Sequence, residues 1–429
     1  MSQAAPDLAT TLIAENFSRD ATGVLHVGGL PLTDLARSYG SPLFVYDADG
    51  LRRAYRALRA AVAGFAEVDY SVKANPNPAV IRVFHEEGAG AEIASGAEFD
   101  AAVRAGVPPQ RILFAGPGKS AADLDRVVGA RIGEIHLENR EELLRVAAAA
   151  ERHGTTVRVA LRINPGATAQ GGAMRMGGKP SPFGFDEEEL SEAVAAVEGQ
   201  PRLHLVGLHL FAGTQGLKAD TLLGQWAYGL ELAAQIVKKT GRPLETIDLG
   251  GGLGIPYFSG DATLDLGALR DGLPPLIETL RRNPMLAGAR VLLEPGRYLA
   301  GPAGVYVARV LAVKHSRGSR FVITDGGMHH HLAASGNLGQ IVKRDFPVVA
   351  VRQGEGPTPC TVSGPLCTPL DVLARAAPLP ELAEGDLVAV LQSGAYGLTA
   401  SPTGFLSHPT PAEVLVEGGR PRVIRARGD

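Results

Sequence analysis

Between residues 68 and 296 short apolar runs of alternating polarity recur, separated by alanine-rich stretches of helical spacing. The runs read "VDYSVKA" (68–74), "AEIAS" (91–95), "ILFAG" (112–116), "EIHLE" (134–138), "RVALRINP" (158–165), "LVGLHLF" (205–211), "TIDLGGG" (246–252) and "VLLEPG" (291–296). Stretches such as "GAEFDAAVRAG" and "REELLRVAAAAERHG" lie between them and end in glycine, the usual helix stop. Eight strand–helix units in a row predict a closed parallel (β/α)8 barrel with helices outside; an open doubly wound sheet is the alternative. After residue 300 the pattern turns β-rich, with "VYVARVLAVKH", "RFVIT", "VVAV", "DLVAVL" and "AEVLVEG" separated by glycine and proline. The hairpin-like "TGVLHVGGLPL" near the N-terminus falls outside the eight repeats. The expected organisation is therefore a barrel over residues 45–298 and a discontinuous all-β domain built from 1–44 and 299–429.

The length of 429 residues suits two domains. With 42 basic and 45 acidic side chains the net charge is −3, so no global basic field attracts nucleic acid. No apolar run approaches the roughly 20 residues of a membrane span, and the first residues lack signal-peptide character. Two cysteines, Cys360 and Cys367, make no disulfide framework and fit a reducing cytoplasm.

Along "VDYSVK", Val68, Tyr70 and Val72 share one face, while Asp69, Ser71 and Lys73 share the other. The apolar set suits the helix side of a barrel, and the polar set then points to the mouth where barrel enzymes keep their chemistry. A lysine held there, partly desolvated, can act as an amine nucleophile; a lysine extending out of the barrel end is the plainer reading. The other strand ends favour a site. Glu92 and Glu98 flank the second, Glu138 ends the fourth, Arg162 and Asn164 lie near the end of the fifth, and His209 and Phe211 share a face of the sixth. The seventh runs into Gly250, Gly251 and Gly252, which suit an anion nest, and the eighth into Glu294-Pro295-Gly296-Arg297.

Other motifs are weaker. "GPGKS" at 116–120 lacks the upstream glycine of a nucleotide-binding loop, since Leu113 stands there. No G-x-S-x-G surrounds Ser95 or Ser393. In an extended segment, of His329, His330 and His331 only the outer two could share a metal ion, and no acidic or cysteine partner adjoins them; lining a substrate entrance is the preferred role.

"YSVKAN", "DLGGG", "EPGR", "GPLC" and "SGAYG", in that order over roughly residues 25–420, resemble the alanine-racemase-like, fold-type III pyridoxal-phosphate decarboxylases, which include diaminopimelate, ornithine and arginine decarboxylases. The resemblance implies pyridoxal 5'-phosphate carried on Lys73, with Glu294 paired to the pyridine nitrogen. It implies a phosphate held by Gly250, Gly251 and Gly252 with Gly296, Arg297, Tyr396 and Thr214, and an acidic neighbour in Glu92. Cys367 matches a cysteine that reaches the neighbouring subunit's site and handles the proton, so a homodimer with shared sites is implied. One departure is Phe211, which stands where these decarboxylases stack a histidine on the ring; His209 shares its face.

The family's diamino-acid decarboxylases follow the site cysteine with an acid that reads the distal amine. Here "CTPLD" places Thr368 there, with Asp371 three residues on. Their R-P-x-L-Y stretch after D-G-G-M is replaced by "DGGMHHHLAASG". "MRMGGKPSPFGF" and "GPLCTP" are similar to the subgroup acting on amino acids tethered to an acyl-carrier protein in secondary-metabolite and antibiotic biosynthesis. That resemblance implies an α-decarboxylase of a glutamyl or methylaspartyl thioester, with Arg162, Thr368, His330 and Arg175 contacting substrate. Arg175, Lys179, Lys343 and Arg344 are candidates for docking an acidic carrier. The alternatives are a decarboxylase of a free amino acid such as diaminopimelate, and an amino-acid racemase.

Overall fold

The computed structural model describes residues 7–166, 174–175, 180–340 and 342–429, the side chains of Met174 and Arg175 excepted. Two compact units divide the chain: Tyr55–Ile255 with Thr263–Tyr298, and the stretch up to Ala54 with Pro256–Ala262 and Leu299–Asp429.

The first unit is the parallel barrel. Its strands are β1 (Glu67–Val68, resumed at Tyr70–Ser71), β2 (Ala91–Ile93), β3 (Ile112–Phe114), β4 (Glu134–Leu137), β5 (Val157–Asn164), β6 (Leu203–Leu210), β7 (Thr246–Asp248) and β8 (Arg290–Leu293). Each pairs with its sequence neighbour, and β1 closes the ring. Glu67 and Val68 pair with Leu292 and Leu293 of β8, Asp69 N–H donates to the Leu293 carbonyl, and Tyr70 and Ser71 pair with Ala91 and Glu92 of β2. The interruption at Asp69 is thus the seam of the barrel. The buried Asp69 carboxylate accepts the Gly90 N–H at 2.5 Å and lies 3.7 Å from Arg111. Burial pushes this carboxyl up to about 6.

The intervening helices begin where short polar side chains cap them: Asn77 bonds Ala79 N–H, Ser95 bonds Glu98 N–H, Ser120 bonds Asp123 N–H and Asn139 bonds Glu142 N–H. Gly106 and Gly241 end two of them in the left-handed conformation. Tyr70 packs outward on Phe84 of the helix Pro78–Glu86, with ring centroids 4.3 Å apart, as the alternation of β1 requires.

The second unit is β-rich. Its sheet runs in the order Val372–Leu379, Thr358–Ser363, Ser319–Thr324, Gly304–Ser316, Leu43–Asp47, Ala412–Glu417, Arg420–Arg425. The long strand Gly304–Ser316 serves two pairings. Its first half lies between Leu43–Asp47 and Leu387–Val390; past a register shift at Val310 its second half pairs with Ser319–Thr324. Leu25, Val27, Leu43, Val45, Val305, Val307, Leu391 and Val414 form its core. Because Leu43–Asp47 is a strand of this sheet, the division from the barrel falls inside the following helix, Ala48–Ala61, rather than at residue 45.

Candidate active site

Apolar side chains usually fill the inside of a (β/α)8 barrel. Here period-two alternation turns polar residues inward on most strands: Ser71, Glu92, Glu134, His136, Glu138, Arg162, His209 and Asp248 are all buried. Lys73 follows β1 in the single 3-10 turn Val72–Ala74 rather than in the strand itself. Asn75, held extended ahead of Pro76, ends that turn. The Lys73 Nζ lies 3.6 Å from Glu92 Oε2 and 5.5 Å from the centroid of the Phe211 ring. Ser71 Oγ donates to the same Glu92 oxygen at 2.5 Å. Glu98 is pushed up to about 7 by burial, with Glu92 adding to the shift and the Ala94 N–H and Lys73 opposing it.

Deeper in the barrel His136, His209, Asp248 and Glu294 bring one donor atom each within 4.8 Å of one another. His209 Nε2 is 3.4 Å from Glu294 Oε2, and the two imidazole centroids are 4.5 Å apart. His136 Nε2 lies 3.2 Å from Glu134 Oε1 and 3.9 Å from Asp248 Oδ2. Burial holds His209 well below the usual imidazole range, with His136 and Arg162 adding to it. Such a set suits a divalent cation, and equally suits protons shared between carboxylates and imidazoles. Glu134, His136 and Asp248 were not among the residues expected from the strand ends, although "EIHLE" puts Glu134, His136 and Glu138 on one face by alternation alone.

On the neighbouring strands Arg162 Nη1 donates to Glu138 Oε1 at 2.7 Å, and its guanidinium sits 4.9 Å from the Phe183 ring centroid. Glu138 also accepts the Gly116 and Gly184 N–H groups. Burial raises this carboxyl, but Arg162 and Lys119 outweigh it and leave it below its ordinary value. Lys119, the lysine of "GPGKS", is buried on Glu142 Oε1 at 2.8 Å and on two carbonyls, so its role is structural.

The glycine turn fits an anion. Gly250 and Gly252 have φ of 69° and 80°. A Cβ on Gly251 would sit 2.3 Å from the Glu294 carbonyl, so the backbone here admits no side chain. Gly296 is packed as closely, a Cβ there meeting Ala74 at 2.7 Å. Arg297 opens the helix Arg297–Ala300, and Thr214 pairs with Met174 in a short antiparallel ladder.

The β unit carries the remaining expected residues. Cys367 is a free, exposed thiol. Thr368 Oγ1 accepts the Leu370 N–H, and Tyr396 is half-buried with φ 53°. Asp371 is buried and accepts the Met328 and Leu366 N–H groups at 2.6 and 2.8 Å, so its carboxylate is committed to the backbone. The histidine run lies in a turn, not an extended segment. His329 and His330 stack at 3.7 Å between centroids, His330 Nδ1 faces the Tyr306 hydroxyl at 3.2 Å, and His331 Nε2 meets Ser393 Oγ at 3.0 Å. Burial pushes His329 down to about 4 and the other two to about 3. Lys343 bonds Asn337 and Arg344 stacks on Phe258, while Lys179 and the Arg175 side chain lie outside the described residues.

A phosphorylated pyridine aldehyde suits the barrel residues. They offer an amine at Lys73, an aromatic face at Phe211, a glycine nest, and the buried Glu294 Oε1, which has no hydrogen-bond partner. The family model described as the pyridoxal-binding domain of pyridoxal-dependent decarboxylases matches residues 48–301. The L-glutamyl-(BtrI acyl-carrier protein) decarboxylase of Niallia circulans is 39% identical over 92% of this chain and 94% of its own. The diaminopimelate decarboxylase of Aquifex aeolicus is 33% identical over 94% and 93%. Among solved structures, diaminopimelate decarboxylase from Helicobacter pylori complexed with L-lysine superposes with a TM-score of 0.82 at 29% identity, covering 93% of this chain and 97% of that one.

Proposed function

The chain belongs to the pyridoxal-dependent decarboxylases, and from that premise we propose that it removes the α-carboxylate of an acidic amino acid tethered as a thioester to an acyl-carrier protein. It is a carboxy-lyase that uses pyridoxal 5'-phosphate. When bound, that group supplies an electron sink for the bonds at the substrate Cα. In this reading Lys73 Nζ would hold it covalently, and Glu92, 3.6 Å away, keeps the lysine oriented. Phe211 would offer an aromatic face to the ring, without a hydrogen bond or charge. Glu294 would pair with the ring nitrogen, the glycine turn with Thr214, Gly296 and Arg297 would hold the phosphate, a role that the family resemblance extends to Tyr396, and Arg162 would contact substrate. The exposed Cys367 thiol returns a proton to Cα in a neighbouring protomer's site, within a homodimer working in a reducing cytoplasm.

The observation that carries the substrate class is that, among the described residues, the stretch Thr368–Asp371 after Cys367 offers no uncommitted carboxylate. Thr368 is neutral, and Asp371 is occupied by two backbone N–H groups. A distal ammonium, as in diaminopimelate, would meet no counter-ion there. A side chain esterified to a carrier has no distal charge to neutralise, and the sequence similarity to a glutamyl-carrier decarboxylase agrees. Release of carbon dioxide from carrier-loaded glutamate, with none from free glutamate or diaminopimelate, is the expected result. Turnover of free diaminopimelate at a higher kcat/KM would replace this reading with the free-substrate one.

A further inference from the structure

The barrel interior holds a pair of acids whose charges do not balance. Asp248 Oδ1 accepts the Gly250 N–H at 2.8 Å, whereas Oδ2 has no hydrogen-bond partner and faces His136 Nε2 at 3.9 Å. Glu294 Oε2 faces His209 Nε2 at 3.4 Å, and Oε1 has no partner. Both acids are buried, Asp248 completely. Among the described residues neither has a lysine or arginine ion partner: the nearest cations of the site are taken up by Glu92, Glu138 and Glu142. Glu134 adds a third carboxylate, 3.2 Å from the same His136 Nε2 that faces Asp248. Two buried carboxylates with oxygens within 4.8 Å of one another do not both ionise.

We infer that Asp248 is a positioning residue, a neutral acid whose proton is donated to Glu294, so that Glu294 meets the cofactor ring as a hydrogen-bonded carboxylate. The register supports this. His209 and Asp248 are paired neighbours on β6 and β7, so both side chains enter the same inward layer, and Glu294 follows β8 directly. His136 Nε2 lies closer to Glu134 Oε1, at 3.2 Å, than to Asp248 Oδ2, at 3.9 Å, so Glu134 is its nearer carboxylate. Burial, reinforced by Glu294 and by Glu134, holds the Asp248 carboxyl well above the usual range, with only the Gly250 N–H opposing it. The inference rests on the proposed role of Glu294 for its functional meaning, but not for the shared proton.

Asp248→Asn mimics the neutral acid and still donates a hydrogen bond; Asp248→Ala does not. Cofactor affinity of the full chain, read from visible absorbance between pH 6 and 10, separates them. The Asn variant should bind pyridoxal phosphate within roughly threefold of the wild type at pH 7, and the Ala variant about tenfold or more weakly. As pH rises through the folded-state pKa of Asp248, wild-type affinity should fall while that of the Asn variant does not. A second measurement uses the cofactor-free chain. A carboxyl raised on folding contributes stability at low pH that is lost as pH rises through its folded pKa, so the wild-type Tm should decline over that range. Asp248→Asn and Glu294→Gln should each flatten the decline. An Asn variant as weak as the Ala variant, parallel pH profiles for Asn and wild type, or one bound metal ion per chain would overturn the inference. A wild type that takes up no pyridoxal phosphate but shows the stability pattern would keep the shared proton and reject the cofactor role of Glu294.

Discussion

Lys73 matters because its amine is both accessible and aimed. Its side chain is 43% exposed, yet Nζ lies between the Glu92 carboxylate and the Phe211 ring. Borohydride reduction of the loaded protein should therefore fix the cofactor on the Lys73 peptide, and Lys73→Ala should abolish both the label and turnover. A label on another peptide would exclude the assignment. Glu98 gives a second residue-level expectation. Its carboxyl is raised to about 7 by burial, so it stabilises the fold below the usual carboxylate range and that contribution disappears as pH climbs through about 7. Glu98→Gln should make the Tm less sensitive to pH between 6 and 8; an unchanged slope would mean that Glu98 titrates normally.

At the scale of elements, the run of eight strand–helix units is legible and predicts the closed barrel, while alternation groups polar side chains on one face of the strands. Reading only the most conspicuous end groups passes over His136, inside Glu134–Leu137, and Asp248, which ends its strand just ahead of the glycines. The histidine run shows the opposite failure. Three identical neighbours say nothing about backbone conformation, and a turn, not a strand, sets which rings meet. Lys119 is a buried structural lysine whose partner Glu142 lies 23 residues on, across a connection that no local pattern reveals. Lys119→Ala leaves a fully buried Glu142 carboxylate uncompensated and should cost about 3–5 kcal/mol in chemical denaturation. A loss below about 1 kcal/mol would mean that Glu142 is neutral in the fold.

At the scale of the molecule, among the described residues no helix is long and apolar enough to cross a membrane. The N-terminal hairpin pattern falls outside the eight repeats, and the contribution of Leu43–Asp47 to the β sheet depends on pairing partners more than 250 residues away. If sites are shared between protomers, inactive Lys73→Ala and Cys367→Ala chains should complement each other. Mixed after subunit exchange, they should recover about a quarter of the wild-type sites, because half the dimers are hybrid and each hybrid has one intact site. No recovery, with exchange shown by mass, would place Lys73 and Cys367 in the same protomer's site.

The seam at Asp69 ties chemistry to the completion of folding. The strand that presents Lys73 finds one of its two neighbours only when Leu292 and Leu293, more than 220 residues later, come to lie beside it. A chain arrested before that final zippering has the lysine but not the walls that orient it. Uptake of the coloured coenzyme during renaturation would then act as a clock for ring closure, lagging behind the appearance of helices and marking the moment the last staves of the cylinder meet.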